Sequence, residues 1–192
     1  MSAYYNKENQ KPRYSLDGIL DGDVVSISAI NFGTMVNAGV YPIEIDANSV
    51  TNPNYVIANT DDIVFEIKPA EVVVTFGNLS CRVSLDAHNR PQITDKDYSI
   101  QGIVYQGDSL NLQIVCEALT ETATEIGSYD ITATYSNPNY NVTVVKGVYK
   151  LLGSYTVKYT LPNGQTIIEE VTEGEDPIGI TDDIFKAGAF KK

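Results

Sequence analysis

The chain has no tryptophan, one histidine, two cysteines and only 13 lysines and arginines among 192 residues. Each shortage excludes something. A single histidine leaves Ser-His-Asp or Cys-His catalysis no choice but His88, which lies in the polar stretch Asp86-Ala87-His88-Asn89-Arg90-Pro91, and no Gly-x-Ser-x-Gly surrounds any serine. Two widely spaced cysteines and one distant histidine make no zinc site. With 25 acidic residues the net charge is −12, so nucleic acid is not an expected partner, because phosphate binding needs a Lys/Arg surface. An anionic membrane surface is disfavoured for the same reason. No run of 18 apolar residues occurs, so no direct membrane insertion is expected, and residues 1–20 carry no apolar signal core.

What remains is abundant. Hydrophobic residues make up 43% of the chain, enough for a packed core, and 13 tyrosines accompany many Val, Ile and Thr residues, which suit half-buried strands. Leu110, Leu112, Ile114 and Cys116 alternate with polar or exposed positions at the period of a strand with one buried face. Ile63–Ile67, Val72–Phe76, Tyr41–Ile45, Tyr129–Thr134 and Val142–Val145 read as further strands, punctuated by glycine and Asn-Pro-Asn. No long helix is expected. The fold class is all-β, of the sandwich kind.

The chain also repeats itself. Tyr14-Ser15-Leu16-Asp17-Gly18 is echoed by Tyr98-Ser99-Ile100-Gln101-Gly102, and Gly22-Asp23 by Gly107-Asp108. Gly39-Val40-Tyr41-Pro42-Ile43 is echoed by Gly127-Ser128-Tyr129-Asp130-Ile131, and Asn52-Pro53-Asn54-Tyr55 recurs as Asn137-Pro138-Asn139-Tyr140. The offsets are 84, 85, 88 and 85 residues, with the drift falling between blocks, where loops absorb it. Pro69, which cannot donate to a ladder, divides a first copy at 1–69 from a second at 70–151. Nothing in the first copy matches Val72–Leu85, so the chain is expected to begin inside that copy, leaving an exposed strand edge. Residues 152–192 form a separate small β module. Its hairpin runs from Tyr155–Leu161 through Pro162-Asn163-Gly164-Gln165 to Thr166–Val171, followed by one short helix at 181–187 with Asp182 and Asp183 in its first turn.

The ordered blocks at 98–102, 127–131 and 137–142, closing on Gly147-Val148-Tyr149-Lys150-Leu151, resemble the MBG-type Ig-like repeats of large bacterial secreted and cell-surface proteins. That resemblance covers roughly residues 14–151. The tail from Tyr155 is similar to the small β-grasp-like repeats of bacterial adhesins, including internalin-type B repeats, with Ala187-Gly188-Ala189-Phe190 as the start of a Gly-aromatic close. The resemblance implies tandem Ig-like sandwich repeats plus a β-grasp-like module, in an extracellular stalk or adhesin with no catalytic residue. It implies no cofactor.

Several residues carry alternatives. Cys81 and Cys116 both lie on apolar strand phases, so they are either a disulfide, contributing about 2–4 kcal/mol, or two buried thiols. Asp17, Asp21 and Asp23, like Asp61 and Asp62, cluster as calcium ligands do, but match no EF-hand spacing and read as turn residues. Lys146 and Lys150, the candidates for a self-formed isopeptide bond, sit at strand ends. Glu169-Glu170 and Asp182-Asp183 are adjacent, and neighbours on a strand point apart, which does not suit a glycosidase pair.

Two functional classes follow. One is a non-catalytic spacer whose partners are neighbouring repeats; there Gly39, Tyr41, Pro53 and Tyr55 and their copies Gly127, Tyr129, Pro138 and Tyr140 are structural. The other is a carbohydrate- or host-protein-binding module using Tyr4, Tyr5, Tyr105, Tyr155 and Tyr159 as flat faces.

Overall fold

The computed structural model describes residues 1–58, 63–161, 163–177 and 179. Among them the chain is all-β. In order the strands are β1 Ser2–Tyr4, β2 Ile30–Asn31, β3 Gly39–Pro42, β4 Glu44–Ile45, β5 Val64–Lys68, β6 Ala70–Phe76 and β7 Leu79–Arg82. There follow β8 Tyr98–Gly102, β9 Gln113–Val115, β10 Gly127–Thr134, β11 Tyr140–Val145, β12 Gly147–Leu152, β13 Ser154–Thr160 and β14 Thr166–Thr172. Among the described residues three short 3-10 turns interrupt them, at Ala47–Ser49, Ala87–Asn89 and Glu117–Leu119. The segment 181–187 lies outside the described residues, as do Asp61, Asp62, Pro162 and Ala187–Phe190.

The residues divide into two compact units. Unit one holds Met1–Val73, Gln101–Leu112 and Tyr135–Thr143; unit two holds Val74–Ile100, Gln113–Thr134 and Val144–Lys192. Residues 1–69 thus fall in unit one and 152–192 in unit two, while 70–151 contribute to both.

In unit one, β5 is central. β3 lies antiparallel on one side, with Gly39 opposite Ile67 and Tyr41 opposite Phe65, and β1 lies parallel on the other, with Ala3 opposite Ile67. β2 pairs with β4, Ile30 opposite Ile45. In unit two, β12 takes the central place. β10 lies antiparallel to it, with Gly127 opposite Leu151 and Tyr129 opposite Tyr149, and β7 lies parallel, with Cys81 opposite Leu151. β9 extends this sheet beyond β10, Ile114 opposite Ala133. A further sheet has the order β11-β6-β8, and β13 and β14 form a hairpin. The alternation that period-two sequences impose is visible in the cores. Phe65 and Ile67 are buried on β5, Tyr149 and Leu151 on β12, and Val72, Val74 and Phe76 on β6.

Two expectations are corrected. The strand drawn through Leu110–Cys116 is only Gln113–Val115, because Asn111 adopts φ +52, a left-handed conformation that breaks a strand, and its N–H is bonded to the Ser109 hydroxyl. The first copy does hold a counterpart to part of Val72–Leu85. β1 flanks β5 as β7 flanks β12, Ser2-Ala3-Tyr4 standing where Ser80-Cys81-Arg82 stand. Three residues were too few for the sequence comparison to match.

Gly147 is a glycine for a steric reason. A Cβ there would run into the Gly77 carbonyl oxygen and lie 2.9 Å from the Phe76 Cβ, whereas a Cβ at Gly127 would meet only the Tyr129 ring at 3.8 Å. Overpacking at such a site has to move backbone. Gly147→Ala should lower the unfolding free energy by about 2–4 kcal/mol and Gly127→Ala by about 1 kcal/mol or less, compared by urea melts of both variants.

Candidate functional site

The most developed side-chain arrangement is built on the Gly-Asp and Asn-Pro-Asn-Tyr blocks. Gly22 and Gly107, at φ +88 and +83, allow tight turns that other residues enter at a cost. The turns close through Asp23 N–H to Leu20 O at 3.0 Å and Asp108 N–H to Tyr105 O at 2.9 Å. Each Asn-Pro-Asn-Tyr folds as an Asx turn. Asn52 Oδ1 accepts from Asn54 N–H at 3.1 Å, and Asn137 Oδ1 from Asn139 N–H at 3.0 Å, with Pro53 and Pro138 between them. The tyrosine that follows then spans to the Gly-Asp turn. The Tyr55 hydroxyl accepts from Leu20 N–H at 3.0 Å and donates to Asp23 Oδ2 at 2.6 Å. The Tyr140 hydroxyl accepts from Tyr105 N–H at 3.0 Å and donates to Asp108 Oδ2 at 2.8 Å. Every partner in the second set lies 85 residues after its counterpart.

The Gly-x-Tyr blocks match in the same way. Tyr41 donates its hydroxyl to Asn37 O at 2.7 Å and Tyr129 to Glu125 O at 2.8 Å, each four residues back, with the ring beside Gly39 or Gly127.

The second tyrosine lock carries more than the first. The buried Tyr5 also donates to Asp108 Oδ2, at 2.7 Å, and its ring meets Tyr105 and Tyr140 edge-on at 5.7 and 5.6 Å between centroids. Lys7 Nζ lies 3.1 Å from Asp108 Oδ1 and also donates to Gln106 O. The Tyr5 and Tyr140 hydroxyls and the Lys7 ammonium hold the Asp108 carboxyl below the usual carboxylate range. Burial, with Asp108 beside it, pushes Tyr5 up to about 12. Burial also raises Tyr140, and the bond to Asp23 raises Tyr55.

The tyrosines proposed as flat faces do not form one surface. Tyr5 is only 3% exposed and belongs to the core, whereas Tyr4 is 59% exposed. Tyr4 and Tyr105 come together around a shallow recess of about 360 Å³, with Ala70, Glu71, Gly102 and Ile103. Tyr155 and Tyr159 stand on β13, their hydroxyls bonded to Glu175 O and Glu169 Oε2.

Cys81 and Cys116 are free thiols. The bridge does not form; instead the buried Tyr149 hydroxyl lies 3.5 Å from Cys81 Sγ and donates to Pro91 O at 2.9 Å. Burial raises the Cys116 thiol, keeping it protonated and unreactive. His88 is exposed and pairs with Glu121 at 2.9 Å. On β14 Glu169 and Glu170 take different partners, Tyr159 for the first and Ser154 for the second. Lys146 pairs with Asp130 in solvent. Among the described residues no group of three or more His, Cys, Asp or Glu side chains is gathered as a metal site.

A residue that the sequence reading passed over is Arg90. It is buried and donates to the carbonyls of Leu85, Ala118 and Ala123 at 2.9, 2.5 and 2.9 Å. No spacing rule marks it, because its acceptors are backbone.

No family model, curated protein or solved structure matches the chain.

The lock sets a pH dependence. Asp108 has a folded pKa below its ordinary 3.8, so its contribution is present above that value and is lost as pH falls through the lower folded value. Tyr5 has a raised folded pKa, so its contribution is present below pH 10 and is lost as pH rises toward about 12. Urea midpoints measured against pH should therefore fall less steeply below pH 4 in Asp108→Asn than in the parent chain, and less steeply above pH 10 in Tyr5→Phe. Unchanged slopes would remove these groups from the linkage.

Proposed function

We propose that the chain is a non-catalytic spacer, a run of Ig-like repeats of the MBG type with a small β-grasp-like module, in a large secreted or cell-surface protein. The observation that carries this reading is the doubled tyrosine lock. One chain builds the same set of donors and acceptors twice, at an 85-residue offset. Tandem copies of one module supply length and stiffness, and each needs its core and turns intact more than any exposed side chain. The matched pairing of β1-β5-β3 and β7-β12-β10 supports the same reading, since both keep a central strand between a parallel and an antiparallel neighbour. On this view the partners are neighbouring repeats, and the location is outside the cell.

The recess at Tyr4 and Tyr105 is the one observation that favours the other reading, a module that recognises carbohydrate or a host protein. Aromatic faces beside a carboxylate such as Glu71 suit a sugar ring. A screen of the folded monomer against a glycan array and extracellular-matrix proteins separates the two. The spacer reading expects no saturable binding, and Tyr4→Ala and Tyr105→Ala to change nothing. Binding that either substitution abolishes overturns it in favour of recognition.

A further inference from the structure

Part of the Asp108 lock belongs to the second copy alone, and part crosses to it from the first. The internal part is the pair of bonds that Tyr140 makes to Tyr105 N–H and Asp108, which Tyr55, Leu20 and Asp23 reproduce 85 residues earlier. The rest runs from residues 1–69 to residues 70–151. The Tyr5 hydroxyl donates to Asp108 Oδ2 at 2.7 Å, and Lys7 Nζ reaches Asp108 Oδ1 at 3.1 Å and the Gln106 carbonyl. The buried Tyr5 ring packs edge-on against Tyr105 and Tyr140. A second crossing lies at Asn139. Its Oδ1 accepts from Ala38 N–H at 2.7 Å and its Nδ2 donates to Asn37 Oδ1 at 3.1 Å, while its own N–H makes the Asx bond that Asn54 also makes. All these residues lie in unit one.

The covalent connection between the copies is short. β5 ends at Lys68 and β6 begins at Ala70, so Pro69 alone separates them. Proline fixes its own φ and restricts the residue before it, so this link has little slack. The end of the other parallel edge strand, in unit two, is used in the same way. Tyr4 lies opposite Lys68 as Arg82 lies opposite Leu152, and the next N–H, of Tyr5 or Val83, bonds to the Lys68 or Leu152 carbonyl. From that place Tyr5 and Lys7 reach forward to the Gly107-Asp108 turn. Arg82 reaches forward to the β13–β14 hairpin, its Nε donating to Thr172 Oγ1 at 2.9 Å and its Nη1 lying 3.4 Å from Glu170. One position of the fold thus meets the following module twice, with different side chains.

We propose that the Asp108 lock is a fixed joint between the two copies, in which the Tyr5-x-Lys7 segment of one repeat clasps the Gly-Asp turn of the next and makes the joined parts open as one cooperative body. The receiving surface is the Gly107-Asp108 turn with Tyr105 and Tyr140. Its partner is the segment that follows β1 of the neighbouring repeat. A swivel at Pro69 would expose the Tyr5 ring and take two donors from an ionised carboxylate, whose bonds are of the charge-assisted kind. Lys7 adopts φ +67, a left-handed conformation that a residue with a side chain keeps only where its surroundings hold it. The joint deepens the spacer reading, since fixed joints make a string of modules stiff. It rests on the crossing bonds, so either can fail alone.

The test uses the full chain and amide hydrogen exchange read by mass spectrometry. Val142→Ala weakens the second copy at a buried position of β11 that makes no crossing bond. In the parent chain it should speed exchange at Val64–Lys68, in the first copy, by about fivefold or more, because joined copies open together. In the double variant Tyr5→Phe, Lys7→Met that transmitted effect should fall below about twofold. Tyr55→Phe, which weakens the first copy from within, should speed exchange at Val64–Lys68 by itself and leave the transmission intact. Lys7→Met alone keeps the Tyr5 ring and hydroxyl, and it serves if the double variant does not fold; it should transmit less than the parent chain. The proposal is overturned if Val142→Ala leaves Val64–Lys68 unchanged in the parent chain, if the effect passes equally with and without the crossing groups, or if Tyr55→Phe abolishes it as fully as the double variant does. Glycan binding at the Tyr4 and Tyr105 recess would overturn the spacer reading and leave the joint standing, whereas copies that open independently overturn the joint and leave the spacer.

Discussion

A strand has two edges, and every part of this architecture answers the question of what satisfies the second one. The central strands β5 and β12 are each covered twice, by a parallel strand and by the antiparallel strand that begins at a Gly-x-Tyr block. β6 is covered twice by β8 and β11. Residues 14–18 and 55–58, whose sequences match β8 and the start of β11, are not strands. Similar local sequence therefore does not by itself decide strand formation here, which is the general weakness of β propensity as a predictor. The β13–β14 hairpin, two-stranded among the described residues, carries Lys158, Glu169 and Glu170 on its strands, and charge of this kind discourages further edge pairing.

Tyrosine is the residue that lets short strands hold long connections. Its hydroxyl accepts a backbone N–H and donates to a carboxylate at once, so one side chain joins a Gly-Asp turn to an Asx turn some 30 residues further on. Phenylalanine has the same shape and neither bond. Because the acceptor is ionised, the donated bond is of the stronger, charge-assisted kind. The two locks are not equal. At Asp108 a second tyrosine and a lysine converge, and the Tyr5 ring packs edge-on against those of Tyr105 and Tyr140. At Asp23 the aspartate takes the Tyr55 hydroxyl in an exposed setting. The second lock is accordingly the one in which removing a single partner leaves a half-buried carboxylate short of donors.

Much of this was legible in the sequence, and the parts that were not share a cause. The Gly-x-Tyr and Asn-Pro-Asn-Tyr blocks were readable because their bonds close over two to four residues, within the reach of motif spacing. The period-two runs of β5, β6, β10 and β11 were readable because burial on one face imposes them. The convergence of Tyr5 on Asp108, 103 residues apart, leaves no such trace, and Tyr5 read as a flat exposed face when it is core. The inward phase of Cys81 and Cys116 was visible, but a bond needs matched Cβ positions. The Tyr149 hydroxyl, beside Cys81, is a contact that spacing does not encode. Asn111 ended a strand early through its own φ, which alternating hydrophobicity cannot register.

The two copies also differ in the segment that follows the parallel edge strand. After β1 the chain gives Tyr5 and Lys7 to the Asp108 lock. After β7 the corresponding stretch folds around Arg90, whose guanidinium is buried without a carboxylate and is satisfied by carbonyl groups from its own loop and from the turn at Glu117–Leu119 and beyond. A buried cation held only by neutral acceptors adds little net stability, because desolvation offsets much of its bonding. What it fixes is geometry: five N–H donors in a rigid fork admit one arrangement of those loops. The pairing of β1-β5-β3 and β7-β12-β10 is thus shared by the two copies, and the post-strand segment differs. In one copy that segment reinforces a distant turn, and in the other it fixes its own neighbourhood. A module that keeps its pairing while exchanging this segment can change what it braces without changing its fold.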